Sequence, residues 1–186
     1  WDFDRDTTLK GSATLTYDQL RATDSSLPAT TEIGPTELTG ELAGSAERRF
    51  GHVGVTGRLA ASRYLEGPTT LSGGTIVSNA ENSNWQGDAG LRLGYDLGPL
   101  LNVFVDGDAR YTAYDAPSST LLAYENGRTM ALRAGIGYSR NSTIAGEISA
   151  GRAWYDYDDP SLGDAASWVV DGSLTLRSDE TLSLTG

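Results

Sequence analysis

The feature that most restricts how this chain can fold is a period-two alternation of apolar and polar residues. Its clearest example is residues 85–96, WQGDAGLRLGYD, where Trp85, Leu91 and Tyr95 fall in one register and Asp88 and Arg92 in the other. Successive side chains of a β-strand point to opposite faces of a sheet, so the pattern predicts strands with one apolar and one polar face. Helical periodicity is hard to find, and the sequence therefore predicts an all-β fold.

About eight such segments of roughly ten residues occur along the chain, and roughly ten residues is the length that a tilted barrel strand needs to cross a membrane. They are residues 9–18, 37–47, 52–62, 85–96, 101–111, 129–139, 144–155 and 168–177. No stretch approaches the ~20 consecutive apolar residues of a transmembrane helix. Alternation alone fits a soluble β-sandwich or lipocalin equally well, because in those folds the apolar face lies inside.

The connections between these segments alternate between long and short, which favours a membrane barrel. The long connections are residues 20–32, 66–84, 115–127 and 156–167, and the short ones lie near residues 50–52, 96–99, 140–143 and 178–180. Outer-membrane barrels have short periplasmic turns and long extracellular loops, whereas a soluble meander has no reason to alternate so regularly. We therefore expect the four long loops on the outside of the cell.

Aromatic residues of the apolar register fall near both ends of the segments. Those on the long-loop side are Tyr17, Trp85, Tyr111, Trp154 and Trp168, and those on the short-turn side are Phe50, Tyr95 and Tyr138. Trp85 and Tyr95 are about ten residues apart, and at ~3.3 Å per residue and ~40° tilt they span roughly 25 Å, the height of the apolar band of a barrel. We interpret these aromatics as residues of the two membrane interfaces.

Composition excludes several other classes of protein. The net charge of −11 argues against nucleic acid as a partner. Cysteine is absent, so disulfides and thiolate metal sites are excluded. The start, Trp1-Asp-Phe-Asp, has neither the basic nor the apolar part of a signal peptide. The length suits one domain, and we assign residues 1–186 to a single barrel domain or a segment of one.

The polar register mixes both signs of charge, and we predict that it lines the barrel lumen. The residues are Asp18, Glu41, Arg58, Asp88, Arg92, Asp106, Asp108, Arg110, Arg133, Glu147, Asp171 and Arg177. They fit two interpretations: a lumen cross-linked by ion pairs, or a polar path that a hydrated solute could traverse. Asp106 and Asp108 share a strand face, but no substrate feature opposes them, and we interpret them as lumen charges.

No residue pattern indicates catalysis, a cofactor or a metal. His52 is the only histidine and lies beside a predicted tight turn, so a catalytic triad or histidine metal site would depend on it alone. Asp156, Asp158, Asp159 and Asp164 share one long loop, but without EF-hand spacing they are typical of a solvated acidic loop. We expect a protein that is not an enzyme.

The second half of the chain resembles a porin-like family of outer-membrane β-barrel proteins of Gram-negative bacteria. The resemblance is carried by residues 101–111 (LNVFVDGDARY), 132–138 (LRAGIGY), 151–159 (GRAWYDYDD) and 174–184 (LTLRSDETLSL). It covers roughly residues 85–186 well and the rest more loosely. It implies a barrel in the bacterial outer membrane and suggests an association with exopolysaccharide export. It carries no catalytic residues.

The ends of the sequence suggest further strands. Residues 1–4 are typical of the end of a preceding strand and residues 181–184 of the start of a ninth, so we expect part of a larger barrel, the alternative being a closed eight-stranded barrel with short tails. The leading functional hypothesis is passage or export across the outer membrane, plausibly of polysaccharide. The alternative is a closed structural or adhesin-type barrel that acts through its acidic loops. The expected partners are outer-membrane lipid, lipopolysaccharide and an export component.

Overall fold

The computed structural model describes the backbone of residues 2–4, 6–140, 144–177 and 183–184, and the side chains of residues 6–139 and 144–175. The strands are β1 (Asp2–Asp4), β2 (Thr7–Gln19), β3 (Thr31–Ile33), β4 (Thr36–Phe50), β5 (Val53–Glu66), β6 (Thr69–Leu71), β7 (Ile76–Val77), β8 (Asn84–Asp96), β9 (Leu101–Tyr114), β10 (Gly127–Arg140), β11 (Ile144–Tyr157), β12 (Ala165–Arg177) and β13 (Ser183–Leu184). Within these residues there is no helix, and hence none that could span a membrane.

Eight long strands form one continuous antiparallel meander. Each pairs with the next in the order β2, β4, β5, β8, β9, β10, β11, β12, and the short β1 and β13 add to its two edges. Among the described strands the two edges do not pair with each other, so the sheet is an open barrel wall. The predicted all-β, up-and-down antiparallel fold is confirmed.

The long strands exceed the predicted length of roughly ten residues. They contain between 13 and 15 residues, because pairing continues past the apolar positions into polar ones. At the long-loop end of β10 and β11, for example, Gly127 pairs with Tyr157 and Arg128 with Asp156. The strands therefore extend beyond the apolar band at the end where the long loops lie.

Two of the predicted loops contain strands of their own. The segments 20–35 and 67–83 supply β3, β6 and β7, which form a separate three-stranded antiparallel sheet above the long-loop end. Threonine, isoleucine and valine favour strands, and the turn between β6 and β7 contains Gly73 and Gly74 at φ 91° and 78°, a conformation open to glycine. The interpretation of residues 20–32 and 66–84 as plain loops was wrong in this respect.

The short connections are hairpin turns. Phe50 pairs with Val53, so only Gly51 and His52 join β4 to β5, and Gly51 has φ 62° at the position where a type II′ turn requires glycine. Residues 97–100 join β8 to β9. The other two predicted turns, near residues 140–143 and 178–180, fall at residues 141–143 and 178–182, outside the described residues.

The two faces of the sheet differ in exposure, with the apolar face the more exposed. Leu15, Leu59 and Val170 are 75, 68 and 71% exposed on the apolar face. On the polar face, Ala131 and Ala153 are only 6 and 2% exposed. A soluble sandwich or lipocalin would show the reverse, since its apolar side chains fill the interior. The structure therefore excludes the soluble alternative that alternation left open.

The sheet curves toward its polar face. Arg92 of β8 pairs with Asp106, which pairs with Arg133, which pairs with Gly151 of β11. Glu147 lies four residues before Gly151 in β11. In a flat sheet, three strand spacings of about 4.8 Å and four residues of about 3.3 Å would separate the Cα atoms of Arg92 and Glu147 by about 20 Å. Their side chains nevertheless meet, with Nη2 of Arg92 2.7 Å from Oε2 of Glu147. The polar face is therefore concave, as the inside of a barrel must be.

Glycine on the concave face of β10 makes room for a neighbouring ring, which gives a stability test. A Cβ atom at Gly135 would overlap the Phe104 ring and lie 2.6 Å from the carbonyl oxygen of Ile148, whereas one at Gly87 on the apolar face would meet no atom within 4 Å. We expect Gly135→Ala to lower the free energy of unfolding by about 1–3 kcal/mol through overpacking. Gly87→Ala should leave it unchanged or slightly raised. Denaturant unfolding in detergent micelles measures both, and equal effects would contradict this packing.

Candidate functional site

The concave face collects the residues that were predicted to line the lumen. The alternation and register place Asp18, Glu41, Arg58, Asp88, Arg92, Asp106, Asp108, Arg110, Arg133, Glu147 and Asp171 on this face. Arg177 ends β12, and its side chain lies outside the described residues. The lumen itself remains a prediction for these residues, but their common face is a property of the fold.

Arg133 is the centre of the largest charge cluster on the concave face. Its Nη1 bonds Asp108 on the adjacent strand and lies 4.0 Å from Oδ1 of Asp106, and its Nε lies 3.0 Å from Oδ2 of Asp171, two strands away. Asp106 is only 7% exposed and also accepts from Arg58, with Nη2 2.8 and 2.9 Å from its two oxygens. Because a buried carboxylate needs a compensating charge, these contacts hold strands β5, β9, β10 and β12 together.

Phe104 is a residue of the concave face that sequence reasoning missed. It broke the alternation of its strand, and the structure places its ring inside, 5% exposed, with the guanidinium carbon of Arg92 3.5 Å from the ring centroid. Arg92 also binds Glu147 through two nitrogens, at 3.3 and 2.7 Å. The available signal was Gly135, which pairs with Phe104 and leaves space for a large side chain.

The concave face is divided into an ion-paired half and a carboxylate-rich half. Strands β8 to β12 carry the clusters described above, together with Arg110, whose Nε lies 2.5 Å from Oδ1 of Asp88. At the long-loop end of β2, β4 and β5 lie carboxylates without a basic partner among the described residues: Asp18, Glu37, Glu41 and Glu66. The hydroxyl of Tyr64 donates to Glu37 at 2.9 Å. The face as a whole therefore carries excess negative charge.

A trough of about 890 Å³ runs across the concave face from β2 to β10. Its charged lining residues are Lys10, Glu41, Arg58, Asp88, Asp108, Arg110 and Arg133. Charged side chains of both signs line the trough together with small residues such as Ala60 and Gly90, and its basic and acidic groups largely neutralise one another. Such a surface can be wetted by water.

The residues that the sequence offered for catalysis have other contacts in the fold. Asp106 and Asp108 are each bound to an arginine, Arg58 and Arg133 respectively. His52 lies in the β4–β5 turn with its ring 6.0 Å from that of Tyr95. Within the residues that the structure describes, no three histidine, cysteine or acidic side chains are grouped as metal ligands.

The predicted interface aromatics all lie on the apolar, convex face. Tyr17, Trp85, Tyr111, Trp154 and Trp168 are near the long-loop ends of their strands, and Phe50, Tyr95 and Tyr138 are near the short-turn ends. All eight side chains are exposed. Their positions fit two bands of aromatic residues, one at each end of the strands. Their contact with a membrane interface stays a prediction.

The acidic loop after β11 is held to the barrel wall by hydrogen bonds. The hydroxyl of Tyr111 donates to Asp158 of this loop at 2.6 Å. Asp156, which was predicted in the loop, lies in β11 instead and accepts from Nε of Arg128 at 2.9 Å. The backbone N–H of Ser161 donates to Asp159 and lowers the pKa of that carboxyl below its usual range. These contacts give the loop acids roles in local structure.

Four arginines of the apolar register whose side chains are described were also missed. Arg63 bonds Asp115 and packs on Trp85, with 5.1 Å from guanidinium carbon to ring centroid. The hydrogen bond from Arg63 holds the pKa of the Asp115 carboxyl below its usual range. Arg128 pairs with Asp156. The other two pack on aromatic rings: Arg48 on Phe50 at 5.1 Å, and Arg152 on Trp168 at 5.9 Å. In the sequence, an arginine at a position of a strand that is otherwise apolar could have revealed them.

An exposed apolar face and a concave, ion-paired polar face together define a porin-like barrel protein. The whole chain, residues 1–186, matches the family described as "Putative beta-barrel porin 2", and the chain belongs to that family. Membership implies a bacterial outer-membrane location and a channel-type role, in a class that is generally non-enzymatic. No curated protein matches the chain.

The charge cluster around Arg133 gives a second stability test. Arg133→Met removes the shared partner of Asp106, Asp108 and Asp171, and we expect it to lower the free energy of unfolding by about 2–3 kcal/mol, since carboxylates are left uncompensated in a partly buried site. The control is Arg110→Met, whose side chain is 55% exposed against 24% for Arg133. Its pair with Asp88 should contribute at most about 1 kcal/mol. Denaturant unfolding of both variants in micelles checks this, and a larger loss for Arg110→Met would refute it.

Proposed function

We propose that this chain forms the wall of an outer-membrane channel through which hydrated solutes pass along the concave polar face. The observation that carries the proposal is the inverted distribution of its side chains. Apolar residues such as Leu59 and Val170 are exposed on the convex face, while Asp106 and Phe104 are buried on the concave face. Lipid is the solvent that this distribution suits, since the strands between the two edges of the meander pair their backbone groups on both sides.

The charge of the lining favours cations and uncharged solutes over anions. Among the side chains that the structure describes, the concave carboxylates are Asp18, Glu37, Glu41, Glu47, Glu66, Asp88, Asp96, Asp106, Asp108, Glu147 and Asp171, and the basic groups are Lys10, Arg49, Arg58, Arg92, Arg110 and Arg133. The carboxylates outnumber the basic groups, and several at the β2–β4 side have no basic partner. A lining with one dominant sign of charge raises the local concentration of the opposite ion.

The polysaccharide cargo expected from the family resemblance stays a hypothesis within this proposal. A polymer chain would require an open lumen wider than that of an eight-stranded barrel, whose interior is filled by its own side chains. The closed alternative would act through its loops, where the small sheet exposes Ile33, Ile76 and Val77 to solvent. The two possibilities make opposite predictions for ion conduction.

Ion conduction tests the channel directly. Full-length protein inserted in a planar bilayer should give stepwise conductance with a reversal potential of cation-selective sign under a salt gradient. Glu41→Lys, in the trough, should lower the cation-to-anion permeability ratio by about twofold or more, because Glu41 has no basic partner among the described residues. Asp164→Lys, in the exposed loop after β11, is the matched control and should change the ratio little.

Two results would contradict this account. Protein shown by protease protection to be inserted, but without conductance, would favour the closed barrel. Anion selectivity in the wild-type protein would refute the assignment of the concave face as the conducting surface. Block of the current by an added soluble polysaccharide would support the proposed cargo.

A further inference from the structure

The four arginines of the apolar face whose side chains the structure describes fall into two kinds. Arg63 and Arg128 are each paired with a carboxylate, Asp115 and Asp156 respectively, at the long-loop end. Arg48 and Arg152 have no carboxylate partner among the described residues, and each packs on an aromatic ring instead. An arginine on the lipid-facing side of a barrel is unfavourable unless its charge is compensated, and the cost grows with depth. Arg48 is close to the short-turn end, whereas Arg152 lies farther from its strand end.

The four nearest positions around Arg152 on this face are apolar or aromatic. Across the register it lies between Leu132 of β10 and Trp168 of β12, and Ala150 and Trp154 are the next residues of the same strand on this face. Its guanidinium carbon lies 5.9 Å from the centroid of the Trp168 ring. The outward carboxylate nearest along β11, Asp156, already accepts from Arg128 at 2.9 Å. The fold therefore leaves one exposed positive charge beside the aromatic residues at the long-loop side.

We propose that Arg152 and Trp168 form a binding site for the phosphate of a glycolipid in the outer leaflet of the membrane. The inference rests on the proposed function, because the membrane orientation puts the long-loop side outside. Guanidinium presents a planar fork of donors that matches phosphate oxygens. The Trp168 ring supports the guanidinium from one side, and its indole N–H supplies one further donor at the interface.

The position of the site favours a lipid over a soluble anion. Ala150 and Val170 form the apolar surface next to Arg152 toward the membrane interior, Leu132 lies level with Arg152, and Leu132 and Val170 are largely exposed. Acyl chains that cover this surface bring their headgroup to the level of the arginine. A free phosphate ion would gain the charge contact alone. The site lies on the long-loop side, and phosphorylated glycolipid makes up the leaflet that this side of an outer-membrane barrel faces.

The test compares vesicles with and without the proposed ligand group, the phosphate of a glycolipid. Full-length protein is folded into phosphatidylcholine vesicles alone, or with phosphorylated lipid A, with lipid A from which the phosphates have been removed, or with phosphatidylglycerol, and Tm is followed by tryptophan emission. Phosphorylated lipid A should raise Tm of the wild-type protein by several degrees, since a ligand that binds only the folded state stabilises it. Arg152→Gln should lose most of this rise.

The controls separate the site from general electrostatics and from the channel proposal. Arg128→Gln, which removes a paired arginine of the same face, should keep the full rise, and Arg152→Lys should keep part of it because the charge is retained. A full rise in Arg152→Gln, or with dephosphorylated lipid A, would overturn the site, and an equal rise with phosphatidylglycerol would overturn the glycolipid assignment. Conductance of Arg152→Gln should equal that of the wild type. Loss of insertion and conductance in the wild type would instead contradict the proposed function.

Discussion

The continuous antiparallel register from β2 to β12 is the constraint on which the rest of the structure depends. Side chains alternate between the faces with a period of two, so a slip of one residue in any pair would move every later apolar side chain to the opposite face. The ladders of β4 with β5 and of β10 with β11 extend over the full length of the strands. Because no pair slips, residues from seven strand pairings build two surfaces of opposite character.

The curvature of the sheet follows from the contacts that each of its two surfaces makes. On the polar face, arginines reach carboxylates two or three strands away, as in Arg58 with Asp106 and Arg92 with Glu147. Such contacts are available only on a concave surface, and Gly135 permits the Phe104 ring to lie beneath Arg92. Within the part of the chain that the structure describes, no second layer of protein covers the convex face. A membrane around the outside and water along the inside satisfy both surfaces at once.

The alternation in residues 85–96 was enough to predict the strand, its two faces and its place in a meander, because period-two patterning is a local property. It could not decide which face was concave, since that depends on contacts such as Arg92 with Glu147, which are 55 positions apart in the chain. Phe104 and Arg152 were missed for the same reason. Each contradicts the pattern of its own strand and has a role only through neighbours on other strands, Arg92 for the first and Trp168 for the second.

The orientation of the two faces can be measured directly on β8, because the chain has no cysteine of its own. Single cysteines are placed at Gly87, Ala89, Leu91 and Leu93 on one face and at Gln86, Asp88, Gly90 and Arg92 on the other, in protein folded into vesicles. We expect a fluorophore attached to the first set before folding to be quenched by a lipid-chain quencher. In unlabelled protein, the first set should resist a water-soluble thiol reagent and the second set should react with it. Reaction of the first set with protection of the second, or equal reaction at all eight positions, would contradict a barrel wall with its polar face inside.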